Sequence, residues 1–229
     1  LAVLSLLLIE GRTFAGTDSV AIKRAPWDDG KYANASKSLD HGSLRVKAPF
    51  MFRRLGTYFR NGENAPQLQI PDLDRLYGYS SHKQPSLTWI GHSTMLVQMG
   101  GMSFLTDPIW SKIPSPIPLL GPKRFVPTPL AIVDLPKIDL VVISHNHYDH
   151  LDIPTLRSLA ARNAETLFLV PMGNAALLRR HGITNVKELD WGQSLDLPGL
   201  TVHCLPAQHW SKRSLTDTNK TLWSSWAMI

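Results

Sequence analysis

Short apolar runs separated by turn residues organise the chain from residue 86 onward. The runs at 87–90, 95–99 and 102–105 are joined by Gly-containing turns and predict three consecutive strands. A further apolar run at 138–143 predicts a buried strand, because it has the length of a strand and few polar positions. The hydrophobic pattern therefore indicates a sheet-rich domain over this part of the chain.

Two helical segments lie among the later strands. The pattern predicts a helix at 153–162, with Pro154 in the first turn, where its missing N–H costs little. A second helix is predicted at 173–180, and strands are predicted at 166–170 and 200–205. With 15 Gly and 17 Pro, these elements suit a loop-rich α/β or β-sandwich protein.

The two ends of the chain differ from its middle. The apolar segment 1–9 is too short to span a bilayer as a helix. With a small-residue boundary at Ala15-Gly16 it resembles part of a secretory signal or membrane anchor over residues 1–16, and a buried first strand is the alternative. The signal-like interpretation predicts a cell-envelope location, on the periplasmic side or outer membrane, with the cytoplasm as the alternative. The chain lacks an initiator Met and ends inside an apparent strand at 226–229, which predicts a fragment.

A polar, turn-rich extension, predicted at 17–84, precedes the main domain, predicted at 85–229. Basic side chains interleave with apolar and aromatic ones along part of it: Arg45, Lys47, Phe50, Met51, Phe52, Arg53, Arg54, Leu55, Phe59 and Arg60. This pattern favours an amphipathic helix that covers the domain, and contact with an anionic membrane surface is the alternative.

Composition narrows the function classes without choosing one. A length of 229 residues with 43% hydrophobic content suits one large domain with an extension. The net charge of +6 permits phospholipid or nucleic acid as partner, but nucleic acid is disfavoured because the chain has no dedicated nucleic-acid module. Cys204 is the single cysteine, so an internal disulfide and a Cys-rich zinc finger are excluded.

A Pro-rich loop at 111–136 is predicted to shape a binding site, because long irregular loops in compact domains are often functional. Its Lys123 and Arg124, together with Lys212 and Arg213, are candidates for contact with phosphate. Solvated surface charge is the alternative for all four.

The densest chemistry directly follows the strand at 138–143. His145, His147, Asp149 and His150 fall within six positions, and imidazole and carboxylate are ligands of zinc. A short loop that leaves a buried strand can direct alternate residues into one cavity. His145 and His147 would then face one metal, and Asp149 and His150 a neighbouring one. A solvated His-rich turn is the alternative.

The pattern His-x-His-x-Asp-His resembles the signature of the metallo-β-lactamase superfamily. Within it, the chain resembles the N-acylphosphatidylethanolamine-hydrolysing phospholipase D family and its bacterial RomA-type relatives, through segments at 89–94, 106–108, 121–125, 208–213 and 222–226. The resemblance runs from about Ser86 to the end. It implies an α+β fold, the four-layer αββα sandwich, with its C-terminal part missing from this chain.

The resemblance also implies a site for two zinc ions. His145, His147 and His209 would hold one zinc, while Asp149 and His150 would hold the second and belong to the catalytic centre. The family further needs a bridging Asp and a last His, which are expected downstream of residue 229.

Other residues are expected to orient these ligands or to contact the substrate: His92, Asp107, Gln208 and Trp210. A structural turn is the alternative for His92, and a place in the core is the alternative for Trp210. Asp152 is predicted to cap the following helix.

These residues together predict a zinc-dependent hydrolase. Two zinc ions can lower the pKa of a shared water to about 7, so that hydroxide attacks phosphorus without a protein nucleophile. The resemblance favours a phosphodiesterase of the phospholipase D type, acting on N-acyl-phosphatidylethanolamine-like lipids at a membrane surface. The alternatives are a lactonase or other metallo-hydrolase, a nuclease, and a non-catalytic envelope or regulatory protein that retains the scaffold.

Overall fold

The computed structural model describes residues 6–8, 22–36, 48–49, 68–116 and 123–229. In this part of the chain the strands are β1 (Leu6–Leu8), β2 (Trp27–Asp28), β3 (Lys31–Tyr32), β4 (Ser86–Gly91), β5 (Thr94–Met99), β6 (Met102–Thr106), β7 (Leu140–Val142), β8 (Leu167–Pro171), β9 (Val186–Leu189), β10 (Ser194–Leu197), β11 (Leu200–Leu205) and β12 (Ser225–Met228). The helices are α1 (Leu73–Tyr77), α2 (Tyr79–His82), α3 (Ile153–Arg162) and α4 (Ala175–Arg180), with a 3₁₀ turn at Ile132–Asp134. Among the described residues, none of the helices could cross a membrane.

Six strands form the first sheet, in the order β4-β5-β6-β7-β8-β9. β4, β5 and β6 pair antiparallel because tight turns join them, whereas β6 to β9 pair parallel. The parallel pairs need longer crossovers, which α3 and α4 supply after β7 and β8. Because β6 and β7 are parallel neighbours, the residues that follow each of them meet at one edge of the sheet.

A second sheet has the order β1-β12-β11-β10. β11 pairs antiparallel with β10 and β12, and β1 pairs parallel with β12. Residues 6–8 thus form a strand, which was the alternative to a signal or anchor segment. The rest of 1–16 lies outside the described residues, so the signal-like segment and the envelope location remain predictions.

Alternate residues of the central strands belong to two separate cores. One set lies between the two sheets and packs against Trp223 and Trp226: Phe104, Leu140, Val142 and Leu169. The other set lies beneath α3 and α4: Leu105, Val141, Phe168 and Val170. The described residues therefore build a helix–sheet–sheet arrangement, in which each fully buried aliphatic or aromatic side chain contributes about 1.5–3 kcal/mol.

The predicted helix at 153–162 and the strands at 87–90, 95–99 and 102–105 occur in the structure within one residue of their predicted bounds. The helix predicted at 173–180 begins at Ala175, since Asn174 occupies its N-cap. β9 and β10 were not predicted, because four-residue strands at sheet edges carry a weak hydrophobic pattern.

The extension predicted at 17–84 packs onto the domain where the structure describes it. The Tyr32 N–H donates to the Asn219 carbonyl at 2.8 Å, and the Ala25 N–H donates to Asp190 Oδ1 at 3.2 Å. The basic and aromatic stretch around 45–60 lies outside the described residues except for 48–49, so its membrane contact remains a prediction.

Two turns at one end of the sandwich contact each other through glycines. A Cβ added to Gly100 would lie 2.2 Å from the Gly199 carbonyl oxygen, whereas one added to Gly101 would meet nothing within 4 Å. Both residues have positive φ, so each alanine substitution carries about 1–2 kcal/mol of backbone strain. Gly100→Ala should lower the free energy of unfolding by about 1–3 kcal/mol more than the control Gly101→Ala, because only Gly100→Ala displaces the facing backbone. Urea unfolding measures this, and equal losses would contradict the close contact.

Candidate metal centre

Asp107 and Ser144 are adjacent because they follow the parallel strands β6 and β7. The Asp107 N–H donates to the Val142 carbonyl at 2.9 Å, and the Ser144 N–H donates to Asp107 Oδ1 at 2.6 Å. Asp107 has no solvent exposure and a φ of 37°. Its carboxylate is therefore fixed where the parallel strands end, at the start of the loop 144–150, which we term the His-rich loop.

The Asp107 carboxylate determines which nitrogens of two histidines carry protons. Its Oδ2 accepts from the Ser144 hydroxyl at 2.6 Å and lies 2.8 Å from His150 Nδ1. Since the Ser144 hydroxyl donates to Asp107, its oxygen accepts from His145 Nδ1 at 2.8 Å. His145 and His150 thus carry a proton on Nδ1. Nε2 of the neutral His145 ring presents a lone pair, and Nε2 is also the nitrogen of His150 at which a metal could replace a second proton.

Three ring nitrogens converge in what we term the three-histidine cluster, formed by His145, His147 and His209. His145 Nε2 lies 2.7 Å from His147 Nδ1 and 3.0 Å from His209 Nε2, and the last two nitrogens are 3.3 Å apart. Tetrahedral zinc with ordinary zinc–nitrogen bonds separates its ligand nitrogens by about 3.3 Å. The donor set therefore fits a divalent cation.

The protonation states in this cluster suit metal binding. Burial, reinforced by the neighbouring imidazoles, holds the pKa of His145 well below its usual range. Burial also lowers the pKa of His147 and His209 to about 4, although the Asp149 carboxylate acts in the opposite direction on both. The three imidazoles are neutral at pH 7, as ligation requires.

A second group, the mixed cluster, contains His92, Asp149 and His150. Asp149 Oδ2 lies 3.3 Å from His92 Nε2 and 3.9 Å from His150 Nε2. Burial disfavours ionisation of Asp149, but the His92 hydrogen bond and the His150 charge outweigh it and hold the pKa of that carboxyl well below its usual range. Burial also opposes protonation of His150, yet the Asp107 carboxylate raises its pKa overall.

His92 lies in the tight turn between β4 and β5, with a φ of 51°, and its ring faces the carboxylate of Asp149. The structure thus brings together all five predicted metal ligands in two adjacent clusters and adds His92 to the second. Metal ligation by these residues remains a prediction.

Two other predicted residues lie in the loop after β11. The Trp210 ring packs edge-on against His147, with centroids 4.4 Å apart. Gln208 is exposed, and its Oε1 accepts from the Ser36 hydroxyl at 2.9 Å, toward the extension. Their proposed roles toward substrate remain predictions.

Arg213 was a candidate for phosphate contact, with solvated surface charge as the alternative; in the structure its guanidinium binds groups of the protein itself. Its Nη1 donates to the carbonyls of Asn146 and Leu151, each at 2.8 Å, and its guanidinium lies 3.9 Å from the centroid of the Tyr148 ring. The Tyr148 hydroxyl donates in turn to the Arg213 carbonyl at 3.0 Å. Arg213 therefore links the loop after β11 to the His-rich loop and to the residue that follows it.

Asp152 occupies the N-cap position of α3, but its side chain makes no capping hydrogen bond to that helix's first-turn N–H groups. Its carboxylate instead accepts from the backbone of Trp110 and Ser111 and from the Thr155 hydroxyl. The predicted cap is wrong in that respect, because the loop at 110–111 competes for the same oxygens.

Asn34 is a residue of the site that sequence analysis missed. Its Oδ1 accepts from the His209 N–H at 3.0 Å and from Trp223 Nε1 at 3.1 Å, and its Nδ2 donates to the His209 carbonyl at 2.9 Å. The side chain of Asn34 thus fixes the backbone that presents the third histidine. No sequence signal indicates this contact, since the two residues are 175 positions apart.

Asn34→Ala should weaken zinc binding at the three-histidine cluster about tenfold, because His209 loses its fixed position. The control Asn185→Ala removes side-chain bonds to the carbonyls of Glu165 and Thr166, remote from the site. Like Asn34→Ala, the Asn185→Ala control should lower the free energy of unfolding by about 1–3 kcal/mol, but it should leave zinc affinity unchanged. Competition with a chelator measures the affinity, and equal affinities in the two variants would contradict the role of Asn34.

A pocket of about 310 Å³ adjoins the mixed cluster. His92 and Asp149 line it, together with Trp89, Arg124 and Phe125. A larger groove of about 640 Å³ lies between α3 and the segment after α4, and no residue of either cluster lines it. The smaller pocket is therefore the candidate substrate site.

Several known proteins are similar to this chain. An uncharacterized protein of Mycobacterium tuberculosis is 47% identical over 172 residues, which cover 74% of this chain and 46% of that protein. The N-acyl-phosphatidylethanolamine-hydrolyzing phospholipase D 1 of Caenorhabditis elegans is 41% identical over 151 residues, which cover 62% of this chain and 42% of that protein. The chain spans less than half the length of these two relatives.

Among solved structures, CmlA, a diiron beta-hydroxylase from Streptomyces venezuelae, is 29% identical with a TM-score of 0.44, covering 64% of this chain and 27% of that chain. The profile of the beta-lactamase superfamily domain matches residues 103–229, more than half of the chain. The match includes the His-rich loop, the His209 loop, the strands β7 to β12 and all of β6 except Met102. The predicted sandwich fold is confirmed, and the chain belongs to the metallo-β-lactamase superfamily.

Proposed function

We propose that the chain forms the metal-binding part of a zinc-dependent phosphodiesterase that hydrolyses N-acyl-phosphatidylethanolamine-like lipids. The observation that carries the proposal is the convergence of His145, His147 and His209 beside the mixed cluster. Similarity to the phospholipase D of Caenorhabditis elegans supports the substrate class. Zinc is preferred because neutral imidazole and carboxylate suit it; iron, the metal of the diiron hydroxylase CmlA, is the alternative.

The protonation states of the side chains suit them to different ligand roles. His145, His147 and His209 offer neutral nitrogens to the first cation, and Asp149 and His150 offer an ionised oxygen and a nitrogen to the second. Asp107 keeps the His150 proton on Nδ1, away from the cation. Bound cations would lower the pKa of water from 15.7 to about 7 and neutralise charge that develops on the phosphate oxygens.

The pocket beside the mixed cluster would place the substrate phosphate next to these groups. Its lining combines polar side chains with the exposed rings of Trp89 and Phe125, which a bound lipid would cover. We also propose that the protein acts at a membrane surface of the cell envelope. This part rests on the basic and aromatic stretch around 45–60 and on the signal-like pattern of residues 1–16 outside β1.

The test compares substrates with the natural protein that contains this chain. N-acyl-phosphatidylethanolamine in vesicles, bis-p-nitrophenyl phosphate and a panel of lactones are assayed with two equivalents of zinc. We expect phosphatidic acid to be released from the lipid, and slower cleavage of the small phosphodiester. Hydrolysis of lactones with neither phosphodiester cleaved would reject the proposal in favour of a lactonase. Metal binding without any hydrolysis would favour a non-catalytic protein.

A further inference from the structure

Two large aromatic side chains face solvent around the pocket beside the mixed cluster. Trp89 and Phe125 are 42% and 61% exposed, whereas none of the other eight aromatic side chains described in residues 85–229 is classed as exposed. Exposed apolar side chains grouped around one cavity mark a binding surface, in contrast to single exposed residues. The rings therefore offer an apolar wall for a ligand that extends away from the metal ligands.

Arg124 forms part of the same pocket and has few partners. Its Nη2 donates to the Ile109 carbonyl, and its Nε is buried without a hydrogen-bond partner in the part of the chain that the structure describes. Its Nη1 lies against Gly91, where an added Cβ would be 2.9 Å away. Gly91 thus provides the space that lets the guanidinium reach the pocket.

The charge of Arg124 lacks a close counter-ion. None of the ion pairs formed by the described residues includes it. Burial lowers the pKa of its guanidinium, while the more distant Asp152 carboxylate acts in the opposite direction. A partly buried cation with one acceptor is destabilised, and an anion that enters the pocket would supply the missing acceptors.

We propose that this pocket binds the anionic group and the adjoining acyl segment of an amphiphilic ligand. Arg124 would contact the anionic group, and Trp89 and Phe125 would contact the acyl segment. For its substrate class this inference rests on the proposed function. Asp149 also lines the pocket and lies 3.3 Å from His92 Nε2, so the positive charge available to an anion comes from Arg124 and the neighbouring Lys123. The volume of about 310 Å³ is at the low end for ligand sites and suits a phosphate with a short chain segment.

Calorimetric titration of the zinc-loaded protein with dihexyl phosphate, inorganic phosphate and hexanol tests the assignment. Arg124→Gln should weaken the binding of both phosphate compounds about 10- to 100-fold, because a hydrogen bond from a charged group is lost. Hexanol should bind much more weakly than dihexyl phosphate. The matched control Arg157→Gln removes an exposed cation of α3 outside this pocket and should leave all three affinities unchanged.

The variant Phe125→Ala tests the contact with the acyl segment independently of the contact with the anion, and it remains informative if Arg124→Gln fails to fold. It should weaken the binding of dihexyl phosphate about tenfold and leave the affinity for inorganic phosphate unchanged, because only the apolar contact is lost. Affinities for both phosphates that are equal in wild type, Arg124→Gln and Arg157→Gln would overturn the anion site. Loss of inorganic phosphate binding in Phe125→Ala would overturn the separate apolar wall.

Binding and turnover distinguish this inference from the proposed function. If dihexyl phosphate binding depends on Arg124 and Phe125 but N-acyl-phosphatidylethanolamine is not cleaved, the pocket assignment stands and the proposed reaction fails. If the lipid is cleaved at equal rates by wild type, Arg124→Gln and Phe125→Ala, the reaction stands and the pocket assignment fails.

Discussion

Replacing His147 and His209 together by alanine is expected to abolish metal binding at the three-histidine cluster and to reduce hydrolysis at least about a hundredfold. The two substitutions of this double variant remove Nδ1 of His147 and Nε2 of His209. Of the three converging nitrogens, only His145 Nε2 remains. Both imidazoles are neutral in the fold, so their removal leaves no buried charge uncompensated. Zinc content by mass spectrometry and lipid turnover measure the two effects.

The matched control removes two imidazoles outside both clusters, by replacing His181 and His203 with alanine. His181 follows α4 and is exposed, and His203 lies half-buried on β11. This control should retain its zinc and its turnover. Unchanged turnover in the His147 and His209 double variant would rule out the mechanism, provided that circular dichroism shows both proteins folded.

Asp107→Ala is expected to have the largest effect on stability, a loss of about 3–5 kcal/mol. The carboxylate is fully buried and accepts from the Ser144 N–H, the Ser144 hydroxyl and His150 Nδ1. Its removal leaves three buried donors without an acceptor. His145 and His150 also lose the contact that keeps their protons on Nδ1, so metal affinity should fall as well.

Asp107→Asn separates charge from size. The amide keeps one oxygen acceptor but presents an NH₂ group to a donor, so zinc affinity should fall about 10- to 100-fold with a smaller loss of stability. Asp139→Asn is the control, because Asp139 accepts from the Ser103 N–H at 2.9 Å at the start of β7, remote from both clusters. Equal zinc affinities in the two asparagine variants would show that Asp107 does not orient the ligands.

The part of the site formed by one loop was predictable because its candidate ligands are close together in the sequence. His145, His147, Asp149 and His150 stand together after a strand whose burial the apolar run at 138–143 already indicated. Resemblance to a family was needed for His209, since a lone histidine after a strand carries no signal of its own. The central strands were predictable for the same local reason, as their alternate residues serve two cores.

The remaining contacts depend on approaches between distant segments, which local patterns do not encode. Asn34 binds the backbone around His209, and Arg213 binds carbonyls of the His-rich loop. In each case the partner is a backbone group that every residue has, so no residue type in the partner indicates the contact. Ser144 links Asp107 to His145 through a hydroxyl that, in sequence, is indistinguishable from a loop former.

Anomalous X-ray scattering at the zinc edge, from crystals of the protein grown with zinc, would locate bound metal directly. We expect one peak at about 2.0–2.1 Å from His145 Nε2, His147 Nδ1 and His209 Nε2. We expect a second peak beside Asp149 and His150, about 3.5–4 Å from the first. Density that shows the three imidazoles hydrogen-bonded to one another, with no peak between them, would contradict metal binding by the three-histidine cluster.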